Sequence, residues 1–504
     1  MRPLWLLVAL IVPPLAAQQT PALARAAATI TSQDVMRHIG LIAADSMQGR
    51  ATPSPGLEQT AEYVASQFKR VGLRPAGENG GYMQRFGVTH WAVDTSASGV
   101  ELSAAGRGRV ARIGTDARYI FGKIPDQPLQ GPVLLIAGAD SSASLGGEDV
   151  RNRIVLLLAD FSQPLPSTLN QRIIDLAGDG PAAILVLSNR DSATFAERLA
   201  VAARPRLGRD AEYGRESGVP VIELHERAVG SILADLSIDP ARLRASRRSE
   251  RRLLPGLAIE VRLSRRVLER AQVPNVVGLL EGSDSQLNRE YLVYSAHMDH
   301  IGITPGQPDS VNNGADDNAS GVAGLLELAE AFTQPGMRPK RSILFLSPSA
   351  EEQGLLGSAH FTEHPTVPLP DIVANINMDL IGRNWTDSVI AVGLDQSDLG
   401  ATLRSVTRAH PELRMAPIPD RWPEERIFYR SDHYNFARKG VPILFFTSGT
   451  HPDYHQPSDE TDRINGEKQA RLLRLLFYVG AHVANALPRP RWNAASYRTI
   501  VERN

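Results

Sequence analysis

The sequence predicts an α/β protein: a mostly parallel central sheet flanked by helices, with a β-rich domain inserted into it. Two textures carry this reading. From residue 273 onward, short apolar runs (VPNVVGLL, YLVYSA, SILFLS, DIVANINM, VPILFF) alternate with stretches of helical periodicity, and strands alternating with helices build parallel sheets. Between residues 107 and 263 the runs GPVLLIAGA, RIVLLLADF, AAILVLS and VPVIELH crowd together, separated by Gly, Asp and Ser. The chain has 504 residues, more than one ordinary core accommodates. The expected division is 1–17 as a leader, 30–106 with 264–490 as the main domain, and 107–263 as the insertion.

Composition narrows the function classes. Apolar residues make up 42% and charged residues 22%, which is globular rather than disordered. A formal net charge of −1 leaves no global field to draw the chain to nucleic acid or an anionic membrane. The basic run Arg247 to Arg252 reads as a solvated loop, since no nucleic-acid recognition module accompanies it. Cysteine is absent. Disulfides, thiolate metal sites and a cysteine nucleophile are therefore excluded, and any metal must be held by His, Asp and Glu.

The elements follow in order. Arg2, the apolar run Leu4–Val12, the helix-breaking Pro13 and Pro14, and the small Ala16 and Ala17 suit a signal peptide ending near residue 17, and hence export to the periplasm or beyond. That run is too short to span a bilayer, and no later stretch suits stable membrane insertion. Residues 18 to about 30 read as a loose leader. Ser32 is placed to cap a first helix, SQDVMRHIGLIAAD. A second helix carries Leu57, Ala61, Val64, Ala65, Phe68 and Val71 on one face and stops at Gly72. The insertion shows no His/Asp/Glu constellation. The long apolar stripe in EKQARLLRLLFYVGAHVANAL predicts a closing helix.

The chemistry gathers between Tyr291 and Glu352. His297 and Asp299 follow one apolar run, Asp316 and Asp317 precede a helical pattern, and Glu351 and Glu352 follow the next run. They lie where strands stop, the edge at which open α/β sheets bind ligands. His297 and Asp299 share a face at i and i+2; H-x-D can supply a metal ligand and the carboxylate that orients it, or a core histidine with an ion-pair partner. Asp316 and Asp317 could be plain helix caps, or one could bridge two cations. Glu351 and Glu352 offer one metal ligand and one general base, and adjacency does not say which is which. Asp379 ends a strand and His455 sits in a loop. With Asp317 and Glu352 taken from the two acidic pairs, His297, Asp379 and His455 complete a candidate ligand set for two metals, and mixed imidazole and carboxylate donors suit zinc, with cobalt or manganese as alternatives.

The motifs AHMDHIG, GADDNASGVAGLLELA, SAEEQGLLGS, NMDLIG, SDHYNF and DYHQPSD resemble those of the secreted co-catalytic di-zinc aminopeptidases, a family that includes glutamate carboxypeptidase and the catalytically inactive transferrin receptor. The resemblance runs from about Ser32 to the closing helix, and the insertion is similar to a protease-associated domain. It implies that His297 and Asp379 hold one zinc, that Glu352 and His455 hold the other, and that Asp317 bridges them. It further implies Glu351 as general base, Asp299 as the partner of His297, Tyr454 as the group that polarises the scissile carbonyl, and His433 as a lining of the substrate cleft. Asp316 is expected to be structural, and His300, His360, His364 and His451 are left without a role. No ligand position departs from the pattern.

The expectation is a secreted exopeptidase with two zinc ions per chain, removing N-terminal residues from peptides. A carboxypeptidase or dipeptidase on the same metals is the nearest alternative, since Arg383, Arg426 or Arg430 could grip a terminal carboxylate. A receptor-like binding protein would have lost ligands, and a cyclase on this fold would use one metal.

Overall fold

The computed structural model describes residues 21–137, 150–161, 167–210, 218–246, 250–306 and 308–502. The signal-peptide expectation, residues 1–17, lies outside the described residues. The chain divides into two compact units: the described residues up to Phe86 together with those from Gln272, and Gly87–Ala271.

The first unit is built on a sheet whose centre is parallel. Tyr291–Ser295 lies between Ser342–Ser347 and Ile372–Met378, parallel to both, and Ile443–Thr447 continues the parallel run beyond Ile372–Met378. Every residue of Ser342–Ser347, Ile372–Met378 and Ile443–Thr447 is buried, as strands covered on both faces are; Asn375 and Asn377 of the second are tolerated there because they donate to the Ser295 and Ser431 hydroxyls, each at 2.9 Å. Around this parallel centre the flanks are antiparallel. Residues 276–280 of the strand Arg265–Leu280 run antiparallel to Ser342–Ser347, and Ser388–Val392 runs antiparallel to Ile443–Thr447. Parallel neighbours need a crossover. Helix Gly321–Phe332 supplies one between Tyr291–Ser295 and Ser342–Ser347, and helix Leu356–Glu363 supplies the next. No helix separates Ile372–Met378 from Ser388–Val392.

Helices cover this sheet. Helix Ser32–Ile42 is capped by Thr31 rather than Ser32: the Thr31 hydroxyl accepts from the Asp34 amide at 3.1 Å. Pro55–Arg70 starts on Ser54, whose hydroxyl accepts from the Leu57 amide, with Pro55 in the first turn, where its missing N–H costs nothing. The expected loose leader is in part a helix, Pro21–Thr29, with Ala26 and Ala27 buried; alanine is the best helix former. The closing helix, Gly466–Asn485, lies so near the sheet that a Cβ on Gly480 would sit 1.7 Å from the Tyr294 hydroxyl. That hydroxyl donates to the Leu476 carbonyl at 2.8 Å.

The second unit is wider at both ends than the expected 107–263. Strand Gly99–Ala104 belongs to it because it pairs with Arg107–Arg112 on one side and Leu257–Arg262 on the other. The unit also mixes helices with its strands. Val133–Ala137, Ile154–Leu158, Ala183–Ser188 and Val221–His225 form a parallel core, accompanied by helices such as Ser192–Ala202 and Glu226–Asp235. The end of the basic run is not a loop: Glu250–Leu253 is an edge strand antiparallel to Val133–Ala137, while residues 247–249 lie outside the described residues. Among the described residues, no helix is long and apolar enough to cross a membrane, and both groups of side chains placed to hold a metal lie in the first unit.

Candidate metal centre

The parallel strands end on one edge, and the order of the chain reverses there. From Tyr291–Ser295 the chain moves to Ser342–Ser347 on one side, then crosses back to Ile372–Met378 on the other. The crevice at such a switch point is where open α/β sheets bind ligands. His297 and Asp379 leave the two strands that flank it, and Nε2 of His297 lies 3.4 Å from Oδ1 of Asp379. Asp317 enters from the irregular turn Ala315–Ser320, and Glu351 and Glu352 follow Ser342–Ser347. His455 comes from the loop after Ile443–Thr447.

Two groups of donor atoms result. One comprises His297, Asp317 and Asp379; the other comprises His300, Asp317, Glu352 and His455. Asp317 belongs to both: its Oδ1 lies 3.6 Å from Nε2 of His297, and its Oδ2 lies 3.1 Å from Nε2 of His455. All five residues expected as ligands are brought together. Glu351 stands apart from both groups, 4.0 Å from Nε2 of His297 and facing the cleft. His300, left without a role by the sequence, is buried here, and its Nδ1 donates to Oε1 of Glu352 at 2.8 Å.

The backbone fixes these positions, and it does so differently from expectation at Asp299. The Asp299 carboxylate is 3.7 Å from Nδ1 of His297, too far for a hydrogen bond. Nδ1 instead donates to the Asp299 main-chain carbonyl at 3.2 Å, which leaves Nε2 as the lone-pair atom facing the cluster. The carboxylate is engaged elsewhere, accepting from the amides of Glu351 and Glu352 at 3.1 and 3.4 Å. Asp299 therefore ties two ligand loops together. Asp459 does the same for the third: it accepts from the amides of Asp316 and Asp317, each at 3.1 Å at closest. Asp316 turns away from the centre and accepts from the Gly382 amide at 2.6 Å. Ser431 donates to Oδ2 of Asp379 at 2.9 Å.

The electrostatics fit a divalent cation. Burial opposes charge on His297, yet Asp379 and Glu351 hold its pKa well above the ordinary value. Burial opposes charge on His455 as well, and the Asp317 and Glu352 carboxylates still raise it to about 10. Burial and the neighbouring Glu352 charge raise Asp317. The cluster thus holds an excess of negative charge that protons or a cation must offset. Oδ1 of Asp379 and Nε2 of His455 are buried without an aligned hydrogen-bond partner, although Nε2 of His455 is only 3.1 Å from each of two carboxylates. Buried polar atoms left so are the exception, and converging imidazole and carboxylate lone pairs are the donor set of zinc.

A cleft opens over the centre, lined by Glu351, Glu352, Tyr454 and Phe445, with Glu425 and Arg430 also on its wall. Tyr454 stacks on His455, ring centroids 3.9 Å apart. Burial, then the Asp317 and Glu352 charges, push its phenol well up, so it is a hydrogen-bond donor. His433 does not line the cleft. It is buried behind Phe445, stacked on that ring at 4.3 Å, and its Nε2 donates to the Phe428 carbonyl at 2.9 Å. Burial lowers its pKa to about 3. Asp459, Ser431 and His300 were the residues sequence reasoning missed. All three stand inside the quoted motifs, and their spacing from a ligand was the available signal.

Comparisons with known proteins match the part of the chain that carries these residues. The family described as peptidase family M28 matches residues 275–480, the stretch that carries every expected ligand. The chain is similar to aminopeptidase YwaD of Bacillus subtilis, 26% identical over 203 residues, covering 38% of this chain and 41% of the relative. It is also similar to a probable zinc metalloprotease of Pyrenophora teres f. teres, 34% identical over 119 residues, covering 24% of this chain and 25% of the relative. The chain therefore spans less than half the length of these curated relatives. An aminopeptidase structure from Aneurinibacillus sp. strain AM-1 shares the fold, with a TM-score of 0.53 at 16% identity over 94% of this chain and 97% of that one. The strand-end ligands thus lie inside the stretch, residues 275–480, that matches peptidase family M28.

Proposed function

We propose that this protein is an exported zinc aminopeptidase that binds two zinc ions and removes residues from the free N-terminus of peptides. The observation that carries the two-metal reading is Asp317, whose two oxygens face two separate donor groups. His297 and Asp379 would hold one ion, Glu352 and His455 the other. Bound zinc supplies Lewis acidity, which lowers the pKa of water and polarises a carbonyl.

The chain's own groups do the rest. Glu351 projects into the cleft free of both donor groups, placed to take a proton from water and pass it to the leaving amine. Tyr454 donates a hydrogen bond to the carbonyl oxygen as charge develops there. Direction follows from how the substrate terminus is held. An ammonium group is drawn to a cleft lined by Asp317, Glu351, Glu352, Asp379 and Glu425.

One observation favours a second reading, a carboxypeptidase: Arg430 lines the cleft. Its guanidinium, however, pairs with Glu425 at 3.3 Å. Arg383 is engaged by Asp453 at 2.8 Å, and Arg426 lies over the Tyr429 ring. An aminoacyl anilide, its N-acetylated form and an N-acylated dipeptide separate the two readings. Hydrolysis of the unblocked anilide is expected, with the acetylated form slower by at least about 10²-fold, the scale of an unpaired buried polar group. Cleavage of the N-acylated dipeptide alone would make the enzyme a carboxypeptidase and leave the metal centre standing.

Export rests on the leader sequence. N-terminal sequencing of protein from the native host is expected to start near Gln18; intact Met1 would overturn this part of the reading.

A further inference from the structure

Arg50 is fully buried, with 0% of its surface exposed, and nothing in the proposed mechanism uses it. Its Nε donates to the carbonyl of Met298, between His297 and Asp299, at 3.0 Å. Nη1 donates to Asn313 and Ile42 at 2.7 and 2.9 Å, and Nη2 to Gly314 and Asp317 at 3.1 and 3.5 Å. A guanidinium has five N–H groups, and all are matched to main-chain carbonyls. Four of those carbonyls belong to the two loops that carry His297 and Asp317. None of the acceptors is a carboxylate, so the arrangement is not an ion pair.

The residues around Arg50 reach the same loops. The Arg50 carbonyl accepts from the His300 amide at 3.2 Å, and the Gly49 carbonyl from the Gly302 amide at 2.9 Å. Gly49 has φ +63°, and a Cβ there would lie 2.5 Å from the Gly302 oxygen. Asn313 donates through Nδ2 to the Ala43 carbonyl at 2.7 Å and to Asp45 at 2.8 Å. Thr52 accepts from the amide of Ala350, next to Glu351, at 3.2 Å. Each of the loops carrying His297, Asp317 and Glu351–Glu352 thus touches one short segment far upstream in the chain.

We propose that residues 43–52 form a brace for the metal centre, and that Arg50 is the positioning residue that holds the ligand loops at their spacing. This rests on the metal-centre reading above. Burial draws the Arg50 pKa down to about 10, with Asp317 and Asp299 opposing, so it stays cationic near neutral pH behind the acidic cluster. Groups that orient metal ligands commonly govern affinity by about 10–100-fold when removed.

The test is Co²⁺ titration of the demetallated full chain, read by its visible d–d absorption, for wild type, Arg50→Met and Arg50→Lys. Arg341→Met is the control. Arg341 is equally buried and donates to the carbonyls of Val483 and Leu487 and to Glu290, away from every ligand loop. Arg50→Met is expected to weaken Co²⁺ binding by about 10–100-fold and to change the band shape. Arg50→Lys keeps the charge, offers three donors and is expected to fall between. Arg341→Met should leave affinity and spectrum unchanged, even if it lowers the unfolding midpoint as much. Folded Arg50 variants that bind Co²⁺ as wild type does, or an equal loss in Arg341→Met, would overturn the brace. So would failure of both Arg50 variants to fold while Arg341→Met folds, which would mark plain structural support. A wild type that binds no Co²⁺ would instead overturn the metal-centre reading on which the brace depends.

Discussion

Glu351→Gln is expected to lower turnover by about 10²–10⁴, the usual worth of a general base, while leaving metal content intact. Two adjacent glutamates could exchange roles on sequence alone, and the geometry separates them. Glu352 accepts from His300 at 2.8 Å through Oε1 and lies 3.1 Å from His455 through Oε2. Against burial, the hydrogen bonds and charges of those two histidines hold its carboxyl below the ordinary range. It is ionised and aimed into a donor group. Glu351 is in neither donor group. Burial pushes its carboxyl well above the ordinary range, with His297 opposing and Glu352 adding to the rise, and its side chain faces the cleft. Glutamine keeps the shape of Glu351 but cannot accept a proton. Glu352→Gln is expected to shed metal as well as activity. Elemental analysis of both variants beside their turnover is the check. If Glu351→Gln loses metal and Glu352→Gln keeps it, the two roles are reversed.

Much of this site was legible because parallel strands advertise themselves. SILFLS is apolar enough to be buried on both faces, so the polar residues just past it, Glu351 and Glu352, must sit at a sheet edge; the strand before Asp379 is less plain, since its Asn375 and Asn377 are buried by hydrogen bonds to Ser295 and Ser431. The direction of a strand is not written in its own residues. Ser388–Val392 looks like its neighbours, and only the missing crossover helix before it makes it antiparallel. Asp299 shows a second limit. Its spacing to His297 suggested a side-chain contact, but two convergent amides after the left-handed Ala350 (φ 56°) compete for the carboxylate and win. His433 shows a third: the resemblance implied a cleft residue, whereas packing against Phe445 buries it. Arg50 was invisible because its acceptors are main-chain carbonyls as much as 267 residues away, and carbonyls leave no mark in a sequence.

Asp317→Ala is expected to remove both metals, whereas His455→Ala is expected to remove one. The argument is geometric. Each oxygen of Asp317 faces a different group, Oδ1 toward His297 and Oδ2 toward His455, so losing this one side chain takes a donor from both. His455 belongs to one group only, and its loss leaves His297, Asp317 and Asp379 in place. The backbone at Asp317 is held independently of its side chain. Its amide donates to Asp459 and its carbonyl accepts from Arg50, so alanine there should preserve the fold. Removing a carboxylate from a cluster with excess negative charge also relieves repulsion, so metal-free Asp317→Ala is expected to be no less stable to urea than the metal-free parent. Zinc content after exhaustive dialysis is the deciding measurement: about two ions per chain for the parent, about one for His455→Ala and close to none for Asp317→Ala, with turnover of Asp317→Ala at background. One tightly bound ion in a fully active parent would contradict the bridging role, and so would Asp317→Ala keeping as much zinc as His455→Ala.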